Sequence, residues 1–152
     1  KDYAGKDLLV VGILKGSVLF TSDLIKNITI PCEIDFMAVS SYGNSAQTSG
    51  VVRILKDLDS DIENKHVLIV EDIVDTGTTL SYLLEYLKAR KAASIEIVAL
   101  LDKEARRTSN VSAKYKGFDV PDEFIVGYGI DYAEKYRNLP FIGALKEEIY
   151  NK

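Results

Sequence analysis

Residues 67–79 read VLIVEDIVDTGTT, from Val67 to Thr79, and this stretch decides the fold. Its first four residues, Val67 to Val70, are continuously apolar, as in a strand covered on both faces. Three carboxylates, Glu71, Asp72 and Asp75, then crowd into five positions, and Thr76-Gly77-Thr78-Thr79 follows. Beyond these, Leu80, Leu83, Leu84 and Leu87 fall at i, i+3, i+4 and i+7 with Glu85, Lys88 and Arg90 off that stripe, which predicts a helix. A strand, a polar turn and a helix in that order are the repeating unit of an α/β sheet.

The flanking sequence supplies more such units. Upstream, residues 8–14 (LLVVGIL) form a second buried-strand candidate ending at Lys15-Gly16-Ser17. Residues 18–28 place Val18, Leu19, Leu24, Ile25 and Ile28 at roughly helical spacing, and a strand is expected over 32–39. Residues 40–50 (SSYGNSAQTSG) are small, polar and aperiodic, an exposed connection before extended pattern resumes at 51–55. Downstream, residues 94–101 (SIEIVALL) predict another strand, and shorter ones are expected over 115–118, 124–126 and 141–145. Strand and helix alternate through the first two thirds of the chain, with no repeat, low-complexity tract or linker, so the expected fold is α/β with a mainly parallel, doubly wound sheet in one domain over 1–152.

Composition narrows the function. The 152 residues are 47% hydrophobic and 28% charged, enough apolar material for a real core. With 19 basic and 23 acidic residues the net charge is -4, so no global field favours nucleic acid and any anion site must be local. One cysteine, Cys32, leaves no internal disulfide, and with a single histidine, His66, zinc clusters and histidine-dependent triads are poor readings. Cys32 is expected to be a small buried hydrophobe and His66 a partly exposed strand-start residue. No apolar stretch approaches membrane-spanning length and no signal peptide opens the chain, so a cytosolic protein is expected. The chain starts without methionine close to its first apolar run, and a preceding segment is expected.

In open α/β sheets ligands bind beyond the carboxyl ends of strands, and residues 71–79 are the most unusual such end here. The threonine hydroxyls, the flexible glycine and the free N–H groups of a helix start make a cradle for a phosphate. A carboxylate aimed at a phosphate would repel it, so the acids must face something else. Glu71 and Asp72 could accept from sugar hydroxyls or approach a magnesium ion, and Asp75 could take a proton beside the sugar. The plainer alternative makes Asp75 a helix cap and Glu71 and Asp72 solvated loop acids. Neither a phosphate-loop NTPase motif nor a dinucleotide fingerprint is present, since Gly127-Tyr128-Gly129 lacks a third glycine.

The stretch VLIVEDIVDTGTT resembles the phosphoribosyl pyrophosphate (PRPP) motif of type I phosphoribosyltransferases, and its Glu-Asp followed by Asp-Thr-Gly resembles the hypoxanthine-guanine branch. Leu14-Lys15-Gly16, Ser41-Tyr42-Gly43, Lys103, and Val126-Gly127-Tyr128 with Asp131-Tyr132 and Arg137 agree in order. The resemblance implies a small hood beside the sheet, purine salvage from PRPP with hypoxanthine or guanine, and a homodimer or homotetramer. It implies that Asp75 accepts the proton at purine N7, and that Glu71 and Asp72 hold ribose hydroxyls and Mg2+. Thr76, Gly77, Thr78 and Thr79 would hold the 5'-phosphate. Lys15, Gly16 and Arg137 would bind pyrophosphate, after a cis peptide between Leu14 and Lys15. Ser41 and Tyr42 would belong to a loop closing over PRPP. Lys103 would donate to purine O6, Phe124 would stack on the base, Ile125 would give backbone contacts, and Asp131 would touch a second magnesium beside the purine. The family's helical segment ahead of the position matching Asp2 is not among these residues and is expected to belong to the preceding segment.

Three rivals share parts of this pattern. PRPP-motif proteins include RNA-binding regulators, which need a basic face that a charge of -4 does not promise. An enzyme for xanthine, adenine or orotate differs only at the base, and Lys103 favours a 6-oxopurine over adenine. A phosphate-binding module without catalysis would not need all five matches.

Overall fold

The computed structural model describes residues 1–41 and 52–151. Six strands form one sheet in the order β3-β2-β1-β4-β5-β6. They are β1 (Leu8–Leu14), β2 (Glu33–Ser41), β3 (Val52–Lys56), β4 (His66–Val74), β5 (Ser94–Asp102) and β6 (Tyr115–Asp119). All neighbours are parallel except β3, which runs antiparallel to β2 at the edge. Helix α1 (Val18–Lys26) connects β1 to β2, and α2 (Thr78–Lys88) connects β4 to β5.

Period two along the strands divides the core. On β1 and β4, Leu9, Val11, Ile13, Val67 and Ile69 share a cluster with Leu80, Leu83 and Leu87 of α2. The alternate residues Leu8, Val10, Leu68 and Val70 pack with Phe20, Leu24 and Ile25 of α1 on the opposite face. Both faces are therefore covered, which is why these strands are unbroken apolar runs.

The expected elements form with shifted ends. Helix α1 stops at Lys26, and Asn27 and Ile28 close its last turn through bonds to Leu24 and Ile25 carbonyls. Strand β2 runs two residues past its expected end, through Ser41. Strand β4 runs four residues beyond the apolar run, through both Glu71 and Asp72. A small hood follows β6: β7 (Ile125–Val126) pairs antiparallel with β8 (Gly143–Ala144), and a short helix α3 (Glu147–Tyr150) ends it. The strand expected over 141–145 thus shrinks to two residues. Cys32 is half-buried, less than expected, while His66 opens β4 half-buried with Nδ1 2.7 Å from Ser94 Oγ. Among the described residues no helix is long and apolar enough to cross a membrane.

Candidate active site

Strands β1 and β4 are neighbours, yet their connections leave toward opposite faces, α1 to one and α2 to the other. That switch opens a crevice at their carboxyl ends. A cavity of about 330 Å³ sits there, lined by Lys15 and Gly16 after β1, residues 71–80 along β4 and into α2, and Asp131 and Arg137 from the hood. Most of the site residues expected from sequence meet in it.

The turn from β4 into α2 is built to leave donors free. Gly77 precedes the helix at φ 84°, a left-handed conformation, and a Cβ there would lie 2.3 Å from Ser109 Oγ. The residue before the helix, Gly77, has no side chain, the only side chain accepting a first-turn N–H among the described residues is Thr76, whose Oγ1 lies 3.4 Å from Thr78 N, and Asp75 turns to Arg106 instead, so the reading of Asp75 as a helix cap fails. The first-turn N–H groups, Thr78 and Thr79 face the cavity end with the positive pole of the helix. Behind the turn, the segment after β5 grips its carbonyls. Lys103 N donates to Val74 O (2.9 Å), Thr108 N to Thr76 O (3.0 Å) and Arg107 Nε to Asp75 O (3.1 Å). Arg107 also donates to Val111 O at 2.6 Å and pairs with the buried Asp102.

Glu71 and Asp72 ride on the strand, half-buried, which removes the reading of them as solvated loop acids. Burial pushes Glu71 well above the ordinary carboxylate range, and the Asp72 carboxylate beside it pushes the same way. Burial also raises Asp72, against the opposing pull of the Ile73 N–H, which donates to its Oδ1 at 2.6 Å. Gly16 lies against this acid: a Cβ there would fall 1.9 Å from Asp72 Oδ2. The peptide between Leu14 and Lys15 is cis.

The two expected pyrophosphate cations converge on an acid that sequence reasoning overlooked. Lys15 Nζ lies 3.0 Å from Glu134 Oε2, and Arg137 Nη2 3.1 Å from Glu134 Oε1. Lys15 first, then Arg137, hold Glu134 below its usual range. Arg137 also donates to Gly129 O at 2.8 Å and approaches Asp131 at 3.4 Å, while its buried Nε has no partner. Asp131 Oδ2 accepts the Glu134 N–H at 2.9 Å. Ala133, Glu134 and Tyr136 all have positive φ, of 50°, 67° and 76°.

Could these acids hold a metal? Among the described residues the one trio of carboxylates close enough to share an ion is Asp102, Glu104 and Asp119, and Arg107 and Lys116 already pair with it. Glu71, Asp72 and Asp131 line the cavity without closing into such a cage. Their hard oxygen donors fit a cation that completes its shell with ligand and water oxygens.

Lys103, Phe124 and Ile125, expected at the base, do not line this cavity and form an adjoining group. The Lys103 side chain is only 11% exposed and Nζ donates to Glu123 O at 2.6 Å, so it is no solvated strand-end lysine. Phe124 is 38% exposed, with its ring edge-to-face with Tyr132 at 5.3 Å and stacked with Tyr150 at 5.0 Å. Ile125 is buried with Leu101 and Ile130. Asp75 Oδ1 accepts from Arg106 Nε at 2.7 Å, a partner nothing in the sequence pattern announced. Ser41 closes β2, and Tyr42 lies outside the described residues.

A mainly parallel sheet with its crevice at the β1/β4 switch, acids on one strand end and a helix N-terminus beside them have the architecture of an α/β enzyme that binds a phosphorylated ligand at its strand ends. The phosphoribosyl transferase domain family matches residues 1–133, and the chain belongs to it. Within the family it resembles the hypoxanthine-guanine members. The hypoxanthine-guanine phosphoribosyltransferase of Staphylococcus aureus (strain Mu50 / ATCC 700699) is 60% identical over 151 residues, 99% of this chain and 84% of the relative. The bifunctional protein TilS/HprT of Listeria monocytogenes serotype 4b (strain F2365) is 55% identical over the same length, 23% of that protein. Among solved structures, a hypoxanthine phosphoribosyltransferase from Staphylococcus aureus superposes with a TM-score of 0.96 at 59% identity, covering 99% of this chain and 82% of that one. A hypoxanthine-guanine phosphoribosyltransferase from Bacillus anthracis, with HEPES in its active site, gives 0.91 at 49% identity, covering 95% and 85%.

Proposed function

We propose that this chain is a purine-salvage enzyme that transfers the 5-phosphoribosyl group of PRPP to hypoxanthine or guanine, giving IMP or GMP and pyrophosphate. The observation that carries the reading is the pairing, at one switch point, of the threonine-lined α2 start with the acids of β4. As pyrophosphate departs, the ribose gains positive character, so the site must neutralise the leaving group, orient the sugar and accept a proton. No protein nucleophile is required, in keeping with the single cysteine and histidine.

In this reading Thr76, Gly77, Thr78, Thr79 and the α2 N–H groups bind the 5'-phosphate, and Glu71 and Asp72 orient the ribose hydroxyls. Lys15, Gly16 and Arg137 take the pyrophosphate, with Arg137 already aimed by Gly129 O. Asp75 accepts the N7 proton, while Lys103 donates to O6, Phe124 stacks on the ring and Ile125 offers backbone contacts. Glu71, Asp72 and Asp131 would hold a divalent metal, Mg2+ in this proposal, which would supply charge neutralisation for the leaving pyrophosphate. Ser41 and Tyr42 belong to a segment that shields the reacting sugar. Residues 1–152 belong to a single domain of the enzyme, which works in the cytoplasm as a homodimer or homotetramer.

The test is direct. Incubated with PRPP, magnesium and each of hypoxanthine, guanine, xanthine and adenine, the protein should form IMP and GMP and no AMP; the absence of any nucleotide product would refute the reading. In Asp75→Asn, kcat should fall at least about tenfold with the protein still folded, as general-base assistance is typically worth ~10²- to 10⁴-fold.

A further inference from the structure

Arg106 lies outside every match that pointed to the site, yet it meets the proposed proton acceptor. It follows β5 in a short 3-10 turn, Glu104–Arg106, whose closing bond runs from Arg106 N to Lys103 O at 3.0 Å. Its Nε donates to Asp75 Oδ1 at 2.7 Å, and its Nη1 lies 3.3 Å from Asp122 Oδ1. Asp122 stands 4.0 Å from Lys103 Nζ and directly precedes Glu123, whose carbonyl accepts that lysine, and Phe124. One guanidinium thus spans the β4 turn and the loop that carries the base-side residues.

We propose that Arg106 is a positioning residue for the transfer reaction: it ties down one oxygen of Asp75, leaving the other for the purine, and sets the distance between Asp75 and the 122–124 loop. The inference rests on the reading of Asp75 as proton acceptor. The fork of an arginine suits this task because it can engage two carboxylates at fixed angles, which an ammonium cannot. Both ion pairs are about half exposed, so their contribution to folding is small and their effect belongs to geometry. Positioning is steep in its consequences: a displacement of about 1 Å can cost on the order of 10²-fold in rate.

The experiment is a kinetic double-mutant cycle on the full chain with Arg106→Gln, Asp75→Asn and both together, plus Arg106→Lys, each checked for an unchanged melting temperature. Arg106→Gln should lower kcat about tenfold with the PRPP KM within about twofold of wild type, and Arg106→Lys should fall between the two. The double variant should be no slower than Asp75→Asn, because Arg106 acts through the carboxylate. Wild-type turnover in Arg106→Gln beside an impaired Asp75→Asn overturns the inference alone. So does a double variant that shows both losses in full. Normal turnover in Asp75→Asn overturns the reading of Asp75 and this inference with it.

Discussion

Single residues at this site are constrained by what stands a bond length away. Gly16 has no room for a methyl group, since Asp72 Oδ2 occupies the place a Cβ would take. Gly16→Ala should therefore cost about 1–3 kcal/mol of stability and raise the PRPP KM at least about tenfold in the protein that remains folded, because either the acid or the β1 turn must move. Steady-state kinetics with varied PRPP check this. Glu134 poses the reverse case. It pairs with both Lys15 and Arg137, so in the proposed reading a pyrophosphate would have to compete with it for them. Glu134→Gln should lower the PRPP KM by a few-fold, with the difference shrinking in high salt because the pairs are exposed. An unchanged KM would show that Glu134 does not compete.

Which of these residues could be found by reading along the chain follows from what each one does. Glu71, Asp72, Asp75 and the threonines were legible because they crowd behind an apolar strand, a costly arrangement without a ligand. Arg106, Arg107 and Glu134 were not. In sequence they are ordinary surface charges, and only the fold brings Arg106 to Asp75 and Glu134 to Lys15, pairs 31 and 119 positions apart. Lys103 was legible as a strand-end cation, but its side chain's burial against Glu123 O was not.

At the level of elements, the ends of strands carry the error and the function alike. The apolar run of β4 marked a strand ending at Val70, whereas hydrogen bonding to β5 continues to Val74. Only Glu71 and Asp72 break the apolar run while staying in the sheet; Ile73 packs beside the hood and Val74 returns to the main core, so two acids interrupt a strand that continues beyond them. The β2–β3 edge shows how a polar group anchors such an end. Asp35 is 8% exposed; its Oδ2 accepts Asp59 N at 2.8 Å, and its Oδ1 accepts Phe36 N at 2.7 Å and faces Lys56 at 3.4 Å. Burial pushes this carboxyl up, but those donors outweigh it and hold it below the ordinary aspartate range. A depressed carboxyl stabilises the fold at pH values above the unfolded value, and that contribution is lost as pH falls through the folded one. Asp35→Asn should cost on the order of 1–3 kcal/mol at pH 7, and the gap from wild type should narrow below about pH 4. Urea melts at pH 7, 5 and 3 measure it; a gap independent of pH would mean the charge is not what matters.

For the molecule as a whole, the two cores are bound to the two faces of the same strands. Alternate residues of β1 and β4 go to α1 or to α2. Leu87 is fully buried on the α2 side, and Leu87→Ala should lower stability by about 2–5 kcal/mol, read as a lower urea midpoint. Activity of the fraction still folded should be retained, since Leu87 does not line the crevice.

The same alternation limits how such a chain can change length. Adding or deleting one residue within β4 would exchange its two sides along the remainder of the strand, sending Val70 toward the wrong helix and rotating Asp72 away from Gly16. Indels are thus confined to the connections, where a longer excursion alters neither face, while the strand beneath the crevice keeps a fixed count of residues.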